Sequence, residues 1–162
     1  MTTRKALIIL IMTATFLNSR CSIASDTQDD TVLRHVSVSV NGHTFDAVLF
    51  DNEASRSLMS MLPLDLEMRE LNSNEKYGYL PDALPTSAQR IDTIHSGDLM
   101  LYGSDCLVLF YRTFATTYRY TPIGRLTSSA RLSDILGPGN ATVTFTVKEC
   151  APSGCCPQVF RP

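Results

Sequence analysis

At 162 residues, 44% of them apolar, the chain is long enough to bury one hydrophobic core and too short for two ordinary domains. Fourteen basic against sixteen acidic residues leave a net charge of -2, which excludes a basic field for nucleic acid or for an anionic membrane surface. There is no Trp, but seven Phe and six Tyr are present, and the tyrosines gather where they can line a groove.

The N-terminus reads as a targeting segment. Arg4 and Lys5 give a positive start, residues 6–17 are an uncharged apolar run, and Ser22-Ile23-Ala24 offers small residues where a signal peptidase reads. The pattern predicts a signal peptide over residues 1–24, cleavage after Ala24, and a periplasmic or secreted mature chain with no stable membrane anchor. The apolar run is about a dozen residues, short of the roughly 18–20 that a spanning helix needs. A lipoprotein signal would use Cys21, but Arg20 stands where a small residue is wanted.

Export changes how the cysteines read. Cys106, Cys150, Cys155 and Cys156 remain after cleavage, and thiols in an oxidising compartment suggest disulfides. Cys106 sits in a run of Leu and Val and reads as a buried strand residue, or as one near a turn that can be reached from outside. Adjacent Cys155 and Cys156 are strained as partners of each other. The expectation is a small loop closed by Cys150 with Cys155 or Cys156. The spacing matches no recognised zinc site, and no metal or cofactor is assigned.

Residues 25–34 are polar and acidic at their start and read as a flexible leader, with structure starting near Val32. Val36, Val38 and Val40 alternate with serines as a half-buried strand, Asn41-Gly42 predicts a tight hairpin, and Phe45, Ala47 and Leu49 mark the return. Asp51-Asn52 can cap a helix whose apolar face is Ala54, Leu58, Met61 and Leu62. Leu64, Leu66 and Met68 alternate as a third strand, and residues 76–80 make a fourth with Tyr77 and Tyr79 on one face. Residues 81–89 are a loop.

A strand with Leu99 and Leu101 follows Gly97, turns around Gly103, and returns as the continuous apolar run from Cys106 to Tyr111, buried on both faces. Another strand spans residues 118–126. Leu132, Ile135 and Leu136 form a short helix closed by Gly137, and residues 142–147 are the last strand. Residues 148–162, with cysteines and prolines, read as a tail. About eight strands, hairpin connections and no βαβ repeat favour a mainly β, closed barrel with two short helices over a sandwich, because closure removes exposed edges.

Four blocks then carry a family resemblance: NEKYGYLP at 74–81, IHSGDLMLYG at 94–103, LVLFYRTF at 107–114 and YRYTPIGRL at 118–126. In this order the chain resembles the bacterial cyclophilin-like family from about residue 36 to residue 145. The resemblance implies a closed eight-stranded antiparallel cyclophilin-like barrel with two helices, placed over residues 35–147.

It also frames the chemistry. Cyclophilins catalyse rotation about X-Pro bonds, whose barrier is about 18–20 kcal/mol. They use an apolar proline pocket and an Arg donor that favours the twisted amide. The comparable position here falls near Gly78, ahead of Leu80-Pro81, and no Arg occurs between Arg69 and Arg90. A groove without catalysis is therefore expected, binding a peptide or small molecule. The alternative is an isomerase with an unusual donor, Arg112, Arg119 or Arg125. Phe110 and Phe114 resemble the aromatic wall of the cyclophilin groove, and Tyr77, Tyr79, Tyr111, Tyr118 and Tyr120 would add amphipathic rings.

Other constellations are weaker. His95, Ser96 and Asp98 are too close on one loop to converge as a relay. His35 and His43 flank the first hairpin, and surface placement is expected for both. Glu75 reads by default as a solvated charge, with a buried hydrogen-bond acceptor as the alternative. Asn140-Ala141-Thr142 is a glycosylation sequon that matters only in a glycosylating host.

Overall fold

The computed structural model describes residues 32–148. Expectations for the signal peptide, for the start of the leader and for a disulfide among Cys150, Cys155 and Cys156 lie outside those residues.

Eight strands close into an antiparallel barrel. They are β1 (Val32–Val40), β2 (His43–Phe50), β3 (Leu64–Leu71), β4 (Glu75–Tyr79), β7 (Asp98–Tyr102), β8 (Cys106–Phe110), β10 (Arg119–Leu126) and β11 (Ala141–Val147). Around the barrel the order is β2-β1-β11-β3-β4-β8-β7-β10, and β10 pairs back onto β2. A short β5 (Gln89–Arg90) extends the sheet beyond β10. A separate ribbon pairs β6 (Thr93–Ile94) with β9 (Phe114–Ala115). Helices α1 (Glu53–Ser60) and α2 (Leu132–Leu136) complete the mainly β architecture.

The alternation seen in the sequence is what builds the interior. In β1, Val36, Val38 and Val40 point inward, and Ala47 and Leu49 do the same on β2. The same interior holds Leu99 and Leu101, Leu107 and Leu109, and Val143 and Phe145. Each fully buried Leu or Val of this kind contributes about 1.5–3 kcal/mol relative to exposure. The hairpin at Asn41-Gly42 has φ of 49° and 75°, both left-handed, as a type I′ turn requires.

Helix α1 packs into the barrel core through Ala54 and Leu58. Asn52 starts it: its Oδ1 accepts from the Ser55 N–H at 2.9 Å, while its Nδ2 donates to Pro122 O at 2.9 Å. Ser55, buried, donates its hydroxyl to Ile123 O at 2.8 Å. One cap thus fixes both the helix and its seat on β10. Leu132 and Leu136 of α2 join the same core. Among the described residues no helix is long and apolar enough to cross a membrane.

The closing seam needs a glycine. The register of β10 on β7 shifts between Pro122 and Gly124, and on the β2 side Gly124 pairs with Leu49, where a Cβ at Gly124 would lie 2.2 Å from Val48 O. No side chain fits there without moving backbone. At the far end Lys148 still belongs to the barrel, with its N–H on His35 O at 3.2 Å and its Nζ on Asp46 at 2.8 Å.

A buried lysine is the largest departure from ordinary barrel composition. Glu75 and Lys76 are neighbours on β4 and take opposite faces, and Lys76 is the one that enters the interior, fully buried. Its Nζ donates to Glu70 Oε2 at 2.6 Å, Gly137 O at 2.9 Å and Gly139 O at 2.6 Å, so all three ammonium donors are used. The Tyr111 ring centroid lies 5.6 Å from the ammonium. Glu70 also accepts the Tyr111 hydroxyl at 2.7 Å. Burial alone would raise the Glu70 pKa, but the Lys76 and Tyr111 hydrogen bonds and the Lys76 charge outweigh it and hold it below normal. The cluster staples β3 and β4 to the loop between α2 and β11.

Candidate functional site: an aromatic groove on the barrel wall

Strands with an inner face also have an outer one. On β4, β8, β7 and β10 the outer face is covered instead of solvated. Cys106, Val108 and Phe110 of β8, Met100 of β7, Tyr120 of β10 and Ile94 of β6 form a second buried cluster, with Tyr77, Ile91 and Phe114 packed against it. Strand β8 is therefore buried on both faces, as its unbroken apolar run predicts.

Above this layer lies a groove of about 620 Å³. Its floor includes Cys106, Val108 and Tyr120. Glu75 and Tyr77 of β4 border one flank, and residues 114–118 border the other. Tyr79, Tyr102 and Tyr118 stand at the rim, 61%, 49% and 62% exposed. Ring contacts chain the floor together: Phe110 meets Tyr120 at 5.6 Å between centroids and Phe114 at 5.7 Å, and Tyr102 meets Tyr120 at 5.7 Å and Tyr118 at 6.2 Å. Tyr77 and Tyr79 pack edge to face at 6.0 Å.

The structure brings six of the seven aromatic residues singled out in the sequence to this region. Tyr77, Tyr79, Phe114, Tyr118 and Tyr120 line the groove, and Phe110, fully buried, supports it from below. Tyr111 lies apart and is corrected to the barrel interior. It follows Phe110 directly, so alternation turns it inward, where its hydroxyl engages Glu70. Burial and that hydrogen bond push the Tyr111 phenol up to about 12.

Sequence reasoning missed Tyr102, Asn74 and Glu75 as lining residues. Tyr102 was legible: it shares the outward parity of Met100 on the same strand. Glu75 shares the parity of Tyr77 and Tyr79. Its carboxyl is half-buried, and desolvation, then the nearby Glu70 charge, raises it to about 6. It has no hydrogen bond or ion pair with a described residue. Asn74 Oδ1 is a buried acceptor without a partner among the described residues. Tyr120 is raised to about 12 by burial and then by Glu75, and Cys106, a free thiol on the floor, to about 11 by burial and then by Asp105 and Glu75.

The remaining constellations resolve locally. Asp98 Oδ2 accepts from the His95 N–H at 2.8 Å, whereas the Ser96 hydroxyl donates to Tyr111 O at 3.1 Å, so the three side chains do not form a relay. His35 pairs opposite Val48 and His43 opposite Val40, at the two ends of the β1–β2 ladder. Among the described residues no group of three or more His, Cys, Asp or Glu is placed to hold a metal ion.

Comparison with curated proteins gives no match. The model of the Cyclophilin-like family matches residues 38–146, which is more than half of the chain and spans the barrel from β1 to β11. With that match and this closed antiparallel barrel, the chain belongs to the cyclophilin-like family.

Proposed function

We propose that this is an exported binding domain that holds a peptide or small molecule in the aromatic groove without catalysing X-Pro rotation. One observation carries the reading: a groove of ligand size, walled by aromatic rings, whose described lining contains no arginine. Rotation catalysis requires a donor aimed at the prolyl nitrogen. The comparable position, Gly78, points inward, and a Cβ there would lie 2.7 Å from Leu66 Cγ and 2.9 Å from Glu67 O. A guanidinium has no room at that place. Of the alternative donors, Arg119 spends its Nη2 on Ala88 O at 2.7 Å, and Arg125 stacks over Phe50 at 5.2 Å. Arg112 follows β8 on an exposed stretch, and none of the three lines the groove. The export part rests on the signal pattern of residues 1–24.

Two measurements test this. Native mass spectrometry of protein purified from its own host is expected to show a bound mass that Tyr120→Ala releases. A proline-peptide isomerisation assay is expected to show no acceleration, and a rate near that of a true cyclophilin would overturn the non-catalytic reading. Intact mass of exported protein should place its first residue at Ser25.

A further inference from the structure

The lining has an unusual charge pattern. Among the described residues around the groove, Glu75 is the one side chain that ionises at neutral pH, since no Lys, Arg, His or Asp lines it. No described residue gives its carboxylate a hydrogen bond or ion pair. Asn74 adds a buried carbonyl oxygen with no donor among the described residues. Five tyrosines and Phe114 add ring faces that carry negative potential, alongside small apolar and neutral polar residues. A carboxylate without a described partner, one buried carbonyl oxygen and several π faces, with no cation among the described lining residues, form a site that disfavours an anion. Leaving a buried acceptor unpaired is costly, and a donating ligand recovers that cost.

We propose that the groove selects ligands bearing an organic ammonium, with its N–H groups on Glu75 and Asn74 Oδ1 and its carbon frame against the tyrosine rings. This rests on the groove being a binding site at all. The cation occupies the Glu75 end, where Phe110 is the paired residue across the β4–β8 ladder and Phe114 and Tyr120 meet its ring. A volume of about 620 Å³ leaves room for an apolar or aromatic body behind the amine. The elevated Glu75 carboxyl is consistent with a site built to be neutralised by a ligand.

The test uses three matched probes on the full mature chain: 2-phenylethylamine, 2-phenylethanol and 3-phenylpropionate. Binding is read from tyrosine resonances by NMR, which locates the site as well as the affinity. The amine is expected to bind at least ten-fold more tightly than the alcohol, and the propionate more weakly than either. Glu75→Gln should lose ten-fold or more for the amine and leave the alcohol unchanged, with Asn74→Ala losing a few-fold for the amine alone. Equal affinity for amine and alcohol, or an unaffected Glu75→Gln, would overturn the ammonium assignment while the groove stands as a binding site. If none of the three probes shifts a groove tyrosine, both readings fall. The melting temperature of each variant checks folding, and Asn74→Ala gives an independent readout if Glu75→Gln is perturbed.

Discussion

Replacing Lys76 by Met removes the ammonium but keeps most of the bulk of its stem, so the barrel interior stays filled. What is lost is one salt bridge and two hydrogen bonds to carbonyls. Breaking a buried pair from one side costs about 3–5 kcal/mol, because the remaining charge is left uncompensated. The Glu70 side chain retains 19% of its exposure, so water reaches part of the orphaned carboxylate and the lower end, about 3 kcal/mol, is expected. Gly139 lies in an exposed loop, and its carbonyl can turn to solvent. For a domain of this size about 3 kcal/mol corresponds to a fall in Tm of roughly 10–15 °C, and to a urea midpoint lower by about 1.5–2 M. Far-UV circular dichroism against urea reads the change directly. Adding Glu70→Gln to Lys76→Met should recover about 1–2 kcal/mol, since the unpaired charge is gone, although the same change in wild type is destabilising. A Lys76→Met protein within 1 kcal/mol of wild type, or additivity of the two changes, would refute the ion pair as a staple.

Three further outcomes follow from the same geometry. Gly124→Ala should destabilise by about 3 kcal/mol or leave no folded protein, since the new Cβ meets Val48 O; a Tm unchanged by the substitution would show that the β2–β10 seam is looser than described. Glu75 is raised in the folded state from 4.5 to about 6, so the native protein holds the proton more tightly. Its contribution is most favourable below about pH 4.5 and is lost as pH rises through 6, and Glu75→Gln should raise stability by about 1 kcal/mol at pH 8 with no gain at pH 4, as measured by urea titration. Cys106, held near 11, should alkylate with iodoacetamide at pH 8 at least a hundred-fold more slowly in the folded protein than in urea, as followed by peptide mapping; equal rates would contradict its burial.

Local sequence carried most of the architecture because period-2 alternation maps directly onto inside and outside. Val36-Val38-Val40, the Asn41-Gly42 turn and the Asn52 cap each act within a few residues, and each stands where its chemistry requires. The losses have equally definite causes. A strand buried on both faces has no polar marker of parity, so Phe110 and Tyr111 look alike in sequence and separate in space. The burial of Lys76 leaves no local sign, because the carbonyls that hold it, Gly137 and Gly139, stand about sixty residues away. The ladders β5, β6 and β9 are two residues each, too short to leave a period. The ring-lined groove was visible as composition, but its acidic side was not, since nothing local distinguishes Glu75 from a solvated glutamate.

The double burial of β8 divides the groove into parts with different freedom to change. Cys106, Val108 and Phe110 have strand neighbours, Leu107 and Leu109, that fill the barrel, so a shape change on the floor is transmitted to the packing that keeps the domain folded. Tyr79, Tyr102 and Tyr118 stand largely in solvent, and replacing them perturbs little beneath. Lineages descending from this barrel can therefore diverge in what they recognise by exchanging rim residues while inheriting the floor intact. Laboratory diversification of the pocket should begin at positions 79, 102 and 118.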